Sequence, residues 1–243
     1  MKKSLFSALA LLPINLILAQ NSVTGTISGW ETISADIVTG MQSPIAIGTV
    51  SEDGSFILNL TPEFTAQTMK SIDEFNKNSA EWKASVMTLE RAFACYSDSL
   101  EITNGNVPVI KLSNFGGYDL ADPKEKKIHG SFMIVNNKEF AETYRSYGQY
   151  NAIPGYFMDW FYFAEPSSVI GECTTESYAV NQEETYKAIT DYQLDFKAGW
   201  NLVQYELAEI FTDKEGLTYA LKTNYKTLDT LPEGVQYIYF EDQ

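Results

Sequence analysis

The sequence predicts a mainly β protein: two antiparallel β-sandwich-like units with a short helical insert over about residues 62–78. Three observations carry that prediction. Apolar residues recur at a spacing of two in many short runs, Gly, Asp and Asn separate those runs, and helical periodicity is confined to one stretch. The expected division is a leader over 1–20, an N-terminal sandwich-like domain over 21–122 that carries the insert, and a C-terminal antiparallel β domain over 123–243.

Residues 1–20 read MKKSLFSALALLPINLILAQ. Lys2 and Lys3 precede an uncharged, mostly apolar run from Leu5 to Ala19, the layout of a secretory signal peptide cleaved after Ala19 or Gln20. The run is short of the ~20 residues that cross a bilayer, and Pro13 and Asn15 interrupt it. No cysteine follows it to carry a lipid, and no later stretch reads as a membrane span. The expectation is an exported protein, periplasmic or extracellular, that is not a lipoprotein and has no integral membrane segment once the leader is removed.

Beyond the leader, Val23, Ile27, Ile33, Ile37, Ile45 and Ile47 mark short strands. Phe56, Leu58 and Leu60 alternate with Ile57 and Asn59, as a strand packed on one face requires, and Glu52-Asp53-Gly54 supplies the turn before it. The helical insert follows. Thr61 is placed to cap it, Pro62 suits the first turn, Glu63 faces the positive end of the dipole, and Phe64, Met69, Ile72 and Phe75 recur near the helical period. Residues 79–94 fit a helix through Trp82, Val86, Leu89 and Phe93, or a strand through Met87, Leu89 and Phe93; the pattern leans to helix as far as about 92.

Asn104-Gly105 reads as a two-residue hairpin turn that would pair Ile102 with Val107 and Leu100 with Val109. Asp122 to Lys127 has the composition of a linker, or of a long hairpin loop. Strands are then predicted over 128–135, 156–164, 169–174, 186–196, 200–211, 218–228 and 235–240, with Lys197-Ala198-Gly199 as a tight turn between two of them.

Composition excludes several function classes. Lys plus Arg is 17 against 32 Asp plus Glu, a formal charge of −15, so a phosphate backbone would be repelled and no nucleic-acid partner is expected. The lone histidine, His129, rules out multi-His metal sites, and two cysteines rule out Cys-rich zinc modules, so neither a metal nor any other cofactor is expected. In an oxidising compartment Cys95 and Cys173 either pair or remain two buried thiols; spacing alone does not decide.

Gly25, Ile27 and Gly29, followed by Asp53, Gly54, Phe56 and Leu58, resemble the opening strand and the later D-G-x-F-x-L strand of transthyretin-like and carboxypeptidase-regulatory-like sandwiches of secreted bacterial proteins. The resemblance covers about forty residues and implies a small sandwich. The Gly199-Trp200-Asn201 turn, with the aromatic run before it, is similar to a group of uncharacterised exported bacterial proteins, which implies export and a β-rich fold and assigns no functional residue.

No G-x-S-x-G, P-loop, G-x-G-x-x-G, C-x-x-C or S-x-x-K motif is present. His129 would have to be the base of any Ser-His-Asp set, and it reads instead as a surface or edge-strand residue. The Asp191, Gln193 and Asp195 alternation reads as the polar face of a half-buried strand. The most selective feature is Tyr156 to Phe163, eight residues that are aromatic except for Met158 and Asp159. On a strand Tyr156, Met158, Trp160 and Tyr162 share one side and Phe157, Asp159, Phe161 and Phe163 the other. Either both sides are buried, or one of them displays its aromatics, with Asp159 among them if it is the second side, to a ligand such as a sugar ring. The functional expectation is a non-enzymatic binding or structural module of the cell envelope or exterior. Its partner would be a glycan or an envelope protein. The alternative is a carbohydrate-binding or glycoside-hydrolysing module that uses Asp159, Trp160 and Tyr162.

Overall fold

Strands β1 (Ser22–Thr26), β2 (Ala35–Thr39), β3 (Ile45–Val50) and β4 (Ser55–Asn59) open the fold. The computed structural model describes residues 22–30, 33–39, 44–79, 82–95, 99–114, 116–146 and 151–241, so the expected leader lies outside the described residues. Gly54 takes φ 81° in the β3–β4 turn, which glycine tolerates without a Cβ clash, and Asp53 Oδ1 accepts from the Ser55 N–H at 3.0 Å and the Ser55 hydroxyl at 2.6 Å. This local chemistry sets Val50 opposite Phe56. Phe56, Leu58 and Leu60 then point inward, and each contributes roughly 1.5–3 kcal/mol by leaving water.

Helix α1 spans Glu63–Asn78, where the insert is predicted. Its start differs in detail, because Pro62 is the capping residue and no side chain caps the first turn. Thr61 contributes its carbonyl instead, accepting the Trp200 indole N–H at 3.4 Å, while Phe64 stacks on Trp200 with ring centroids 6.0 Å apart. At the far end Asn76 bonds the Ala84 backbone twice, at 2.8 Å to the carbonyl and 2.7 Å from the N–H. Lys83 donates to the Asn76 and Ser79 carbonyls, placing a cation at the negative end of the helix dipole. The stretch that leans to helix resolves differently: 82–87 has no regular structure, and only Leu89–Ala92 forms a single turn, α2.

The remaining elements are β5 (Glu101–Thr103), β6 (Ile110–Lys111), β7 (Gly117–Ala121), β8 (Ile128–Val135), α3 (Lys138–Arg145), β9 (Gly155–Phe163), β10 (Ser167–Tyr178), β11 (Thr185–Phe196), β12 (Gly199–Thr212), β13 (Thr218–Leu228) and β14 (Gln236–Glu241). The strands predicted after residue 127 all form, within a few residues at their ends.

Two expectations change. Asn104 does turn the chain, with φ 55°, but Ile102 and Val107 do not pair. Ile102 lies opposite Val169 of β10, while Val107 accepts from the Leu89 N–H at 2.9 Å and Val109 donates to the Met87 carbonyl at 2.9 Å. Ile102, Val107 and Val109 still reach one shared core, because an alternating pattern fixes which face is buried and not which strand is adjacent. The boundary expected at 122/123 falls in the loop of the paired β7–β8 hairpin, closed by the Asp122 N–H donating to the Lys127 carbonyl at 2.9 Å. The chain is therefore not divided there.

The fourteen strands form one continuous mixed sheet, which the single β8–β9 pair, Val135–Phe157, joins from two sets interleaved along the chain. One runs β1-β4-β3-β2-β7-β8-β14, and Ser28 links its ends by donating to the Tyr237 carbonyl at 2.7 Å and accepting from the Tyr239 N–H at 3.2 Å. The other runs β5-β10-β11-β13-β12-β9-β6. Pairing is antiparallel as expected, except that β11 and β13 run parallel, joining two long hairpins side by side.

β5 and β6 sit on opposite edges of the second set, although only residues 104–109 separate them. Six strand spacings cover about 29 Å across a flat sheet, and the link reaches at most about 25 Å. The sheet must curl. Its concave side is filled by Leu89, Phe93 and Val109 packed on Phe161, Phe163, Leu194 and Phe196. A disulfide between Cys95 and Cys173, with Cα atoms 5.8 Å apart, ties this filling segment to β10. Among the described residues no helix is long and apolar enough to cross a membrane.

Candidate functional site

β9 is the seam of the molecule. Its outer edge meets β8 at Val135–Phe157 and β6 at Ile110–Tyr162 and Lys111–Phe161. Met158 and Trp160 face the core of the first set, and Phe161 and Phe163 face the core of the second. The aromatic strand is thus buried on both sides.

That placement corrects the expected ligand platform. Asp159 and Trp160 are each only 4% exposed, so neither lies on an open surface. Tyr162 is half-buried and meets Trp200 edge-on, with centroids 5.3 Å apart. The Asp159 carboxylate accepts from the Ser113 hydroxyl at 2.6 Å, the Ser113 N–H at 3.2 Å, the Trp160 N–H at 2.7 Å and the Tyr118 hydroxyl at 3.3 Å. Burial pushes its pKa upward; the Ser113 bonds, the Lys111 charge and the Trp160 N–H pull the other way without cancelling that rise. Tyr118 is raised well above the ordinary tyrosine value, mainly by burial and then by the Asp159 charge. The cluster is an internal polar junction.

His129 sits half-buried on β8, and its carbonyl accepts from the Tyr239 hydroxyl at 3.1 Å. Gln193 donates to Asp191 at 3.0 Å on β11, and among the described residues no group of three His, Cys, Asp or Glu is arranged to hold a metal ion.

Among the described residues, an arrangement with room for a ligand lies beneath α1. The helix is tied at both ends, by Trp200 and by the Ala84 contacts, and Phe64 is its only buried residue. Between the ties, the stripe formed by Phe64, Thr68, Ser71, Ile72 and Phe75 faces a groove of about 570 Å³, within the range of small-molecule sites. Ile45 of β3 and Val109 and Ile110 around β6 line it opposite the helix stripe. The irregular segment adds Trp82, Val86 and Met87. Trp82 is 62% exposed and Met87 51%, a concentration of large apolar side chains in water next to the groove. Trp82 meets Phe75 edge-on at 5.4 Å, which ties this wall to the helix.

Charge around the groove runs against the rest of the chain. Its described lining contains Lys83 and Lys111 and no Asp or Glu, in a sequence with 32 acids. Lys111 holds its ammonium 4.7 Å from the Phe161 ring centroid.

Comparison with family models, curated proteins and solved structures finds no match for this chain.

The apolar stripe of the helix is legible in the sequence, and the groove beneath it is not. The groove is the space left where a helix is held at its ends and not along its length, and only the apolar spacing of Phe64, Ile72 and Phe75 hinted at it.

Proposed function

We propose that this protein is a non-enzymatic, exported binding module whose groove beneath α1 receives a small apolar molecule. The carrying observation is that a 16-residue helix with one buried side chain leaves Ile72 and Phe75 lining an apolar groove of about 570 Å³. Apolar surface of this kind gains free energy when a ligand displaces water from it. Export is supported by the leader pattern at residues 1–20 and by the Cys95–Cys173 pair, since disulfides persist in oxidising compartments.

The test is titration with a neutral apolar dye such as N-phenyl-1-naphthylamine. Dye emission rises on binding, Trp82 emission shifts to the blue, and the Trp82 signal disappears in Trp82→Phe. Ile72→Asp, which places an unpaired carboxylate in the groove, weakens binding at least about tenfold, the size of a 1.4 kcal/mol penalty. A folded protein that takes up no apolar probe would end this reading.

A further inference from the structure

We infer that the occupant of the groove is an amphiphile: an alkyl chain ending in a single carboxylate, with the head received by Lys83 and Lys111 and the tail against Phe64, Ile72 and Phe75. This rests on the groove being a ligand site, and it names the ligand's chemistry.

The argument is one of charge. Six lysines on this acidic chain have carboxylate partners: Lys70, Lys126, Lys138, Lys197, Lys214 and Lys226. Lys83 and Lys111, like Lys77, Lys124, Lys127, Lys187 and Lys222, form no ion pair among the described residues, and of these seven only Lys83 and Lys111 are in the described lining of the groove. Lys83 rests on two neutral carbonyls and Lys111 on an aromatic face, contacts that orient an ammonium without neutralising it. Asp159 feels the Lys111 charge, but its carboxylate is already engaged by Ser113, Trp160 and Tyr118. Two cations with no ion-pair partner among the described residues, beside a described lining that holds no Asp or Glu, favour an anionic head over a neutral one and disfavour a cationic one. The hydroxyls of Thr68 and Ser71 add hydrogen-bonding groups beside the apolar stripe.

The experiment titrates the purified protein with dodecanoate, dodecan-1-ol and dodecylammonium, each below its critical micelle concentration, and reads Trp82 emission. Dodecanoate is expected to bind about tenfold tighter than the alcohol, the increment of a charge-assisted contact, and dodecylammonium most weakly of the three. In the Lys83→Gln, Lys111→Gln double variant the acid and the alcohol converge. If that variant does not fold, the same convergence is expected in the unaltered protein as ionic strength rises, because salt screens exposed charges. Equal affinity for acid and alcohol would overturn the inference and leave the apolar site standing. A preference for the acid that survives both the double variant and high salt would overturn the assignment to these lysines. Failure of all three compounds and of the neutral dye would remove both readings together.

Discussion

The Ser113 hydroxyl donates to the Asp159 carboxylate at 2.6 Å, joining residues 46 positions apart where the two cores meet at β9. Because Asp159 is buried, loss of this bond leaves a carboxylate oxygen short of a partner. Ser113→Ala is therefore expected to lower stability by about 1–3 kcal/mol, read from the urea midpoint at constant slope.

The same carboxylate gives a pH dependence. Burial raises the folded-state pKa of Asp159 above its unfolded value, so the folded chain holds this proton more tightly. The contribution to stability is complete below the unfolded pKa and is lost as pH rises through the folded one. Asp159→Asn is expected to remove that falling limb, which urea midpoints measured across the acid range would show.

Asp213 is expected to behave in the opposite sense. Burial works to raise its pKa, but donation from the Leu217 N–H at 2.9 Å, the Tyr219 hydroxyl at 2.9 Å and the Glu215 N–H at 2.9 Å leaves it below the usual carboxylate range. Its contribution is present above the unfolded pKa and lost as pH falls through the folded one. Tyr219 also accepts the Val180 N–H at 3.1 Å, linking the tips of the two long hairpins. Tyr219→Phe should raise the Asp213 pKa in a carboxyl NMR titration and speed hydrogen exchange at Val180.

The disulfide closes a loop with a sequence separation of 78 between Cys95 and Cys173. Replacing both cysteines by serine is expected to cost about 4 kcal/mol through the unfolded chain's regained freedom. Phe93, two residues from the bridge, packs edge-on against Tyr192 at 5.5 Å and Tyr225 at 6.0 Å. Changes in the near-ultraviolet circular dichroism of these rings should accompany the loss.

Gly48 lies in β3 where an added Cβ would stand 2.1 Å from the Ile57 carbonyl oxygen. The obstacle is backbone in a paired strand, so it cannot rotate away. Gly48→Ala is expected to destabilise by about 1–3 kcal/mol, the range for overpacking, visible as a lowered thermal midpoint.

What the sequence made legible was local. The Asp53-Gly54 turn and the inward set of Phe56, Leu58 and Leu60 could be read directly, since turn chemistry and alternation act within a few residues. Helix α3 was missed although a signal existed: Asn137 accepts the Phe140 N–H at 2.7 Å as an N-cap, and Phe140 and Ala141 are buried on one side. Partner choice was not legible. Nothing within β5 distinguishes pairing with 107–109 from pairing with β10, and nothing in β11 announces a parallel neighbour. Asp159 showed the same limit: the aromatic run marked it as unusual, but its partners lie 46 and 41 residues away, and only their positions decide between an open platform and an internal junction.

The six-residue link between β5 and β6 acts on the second set of strands as a drawstring. Flattening would stretch it past its reach, so the sheet cannot relax its bend without first detaching an edge strand. Bending stiffness here is imposed by chain length as well as by side-chain packing, and the aromatic interior stays shut against breathing motions that leave the backbone ladders intact. Lengthening the link by a few glycines at its Asn104–Gly105 turn should loosen this half of the molecule.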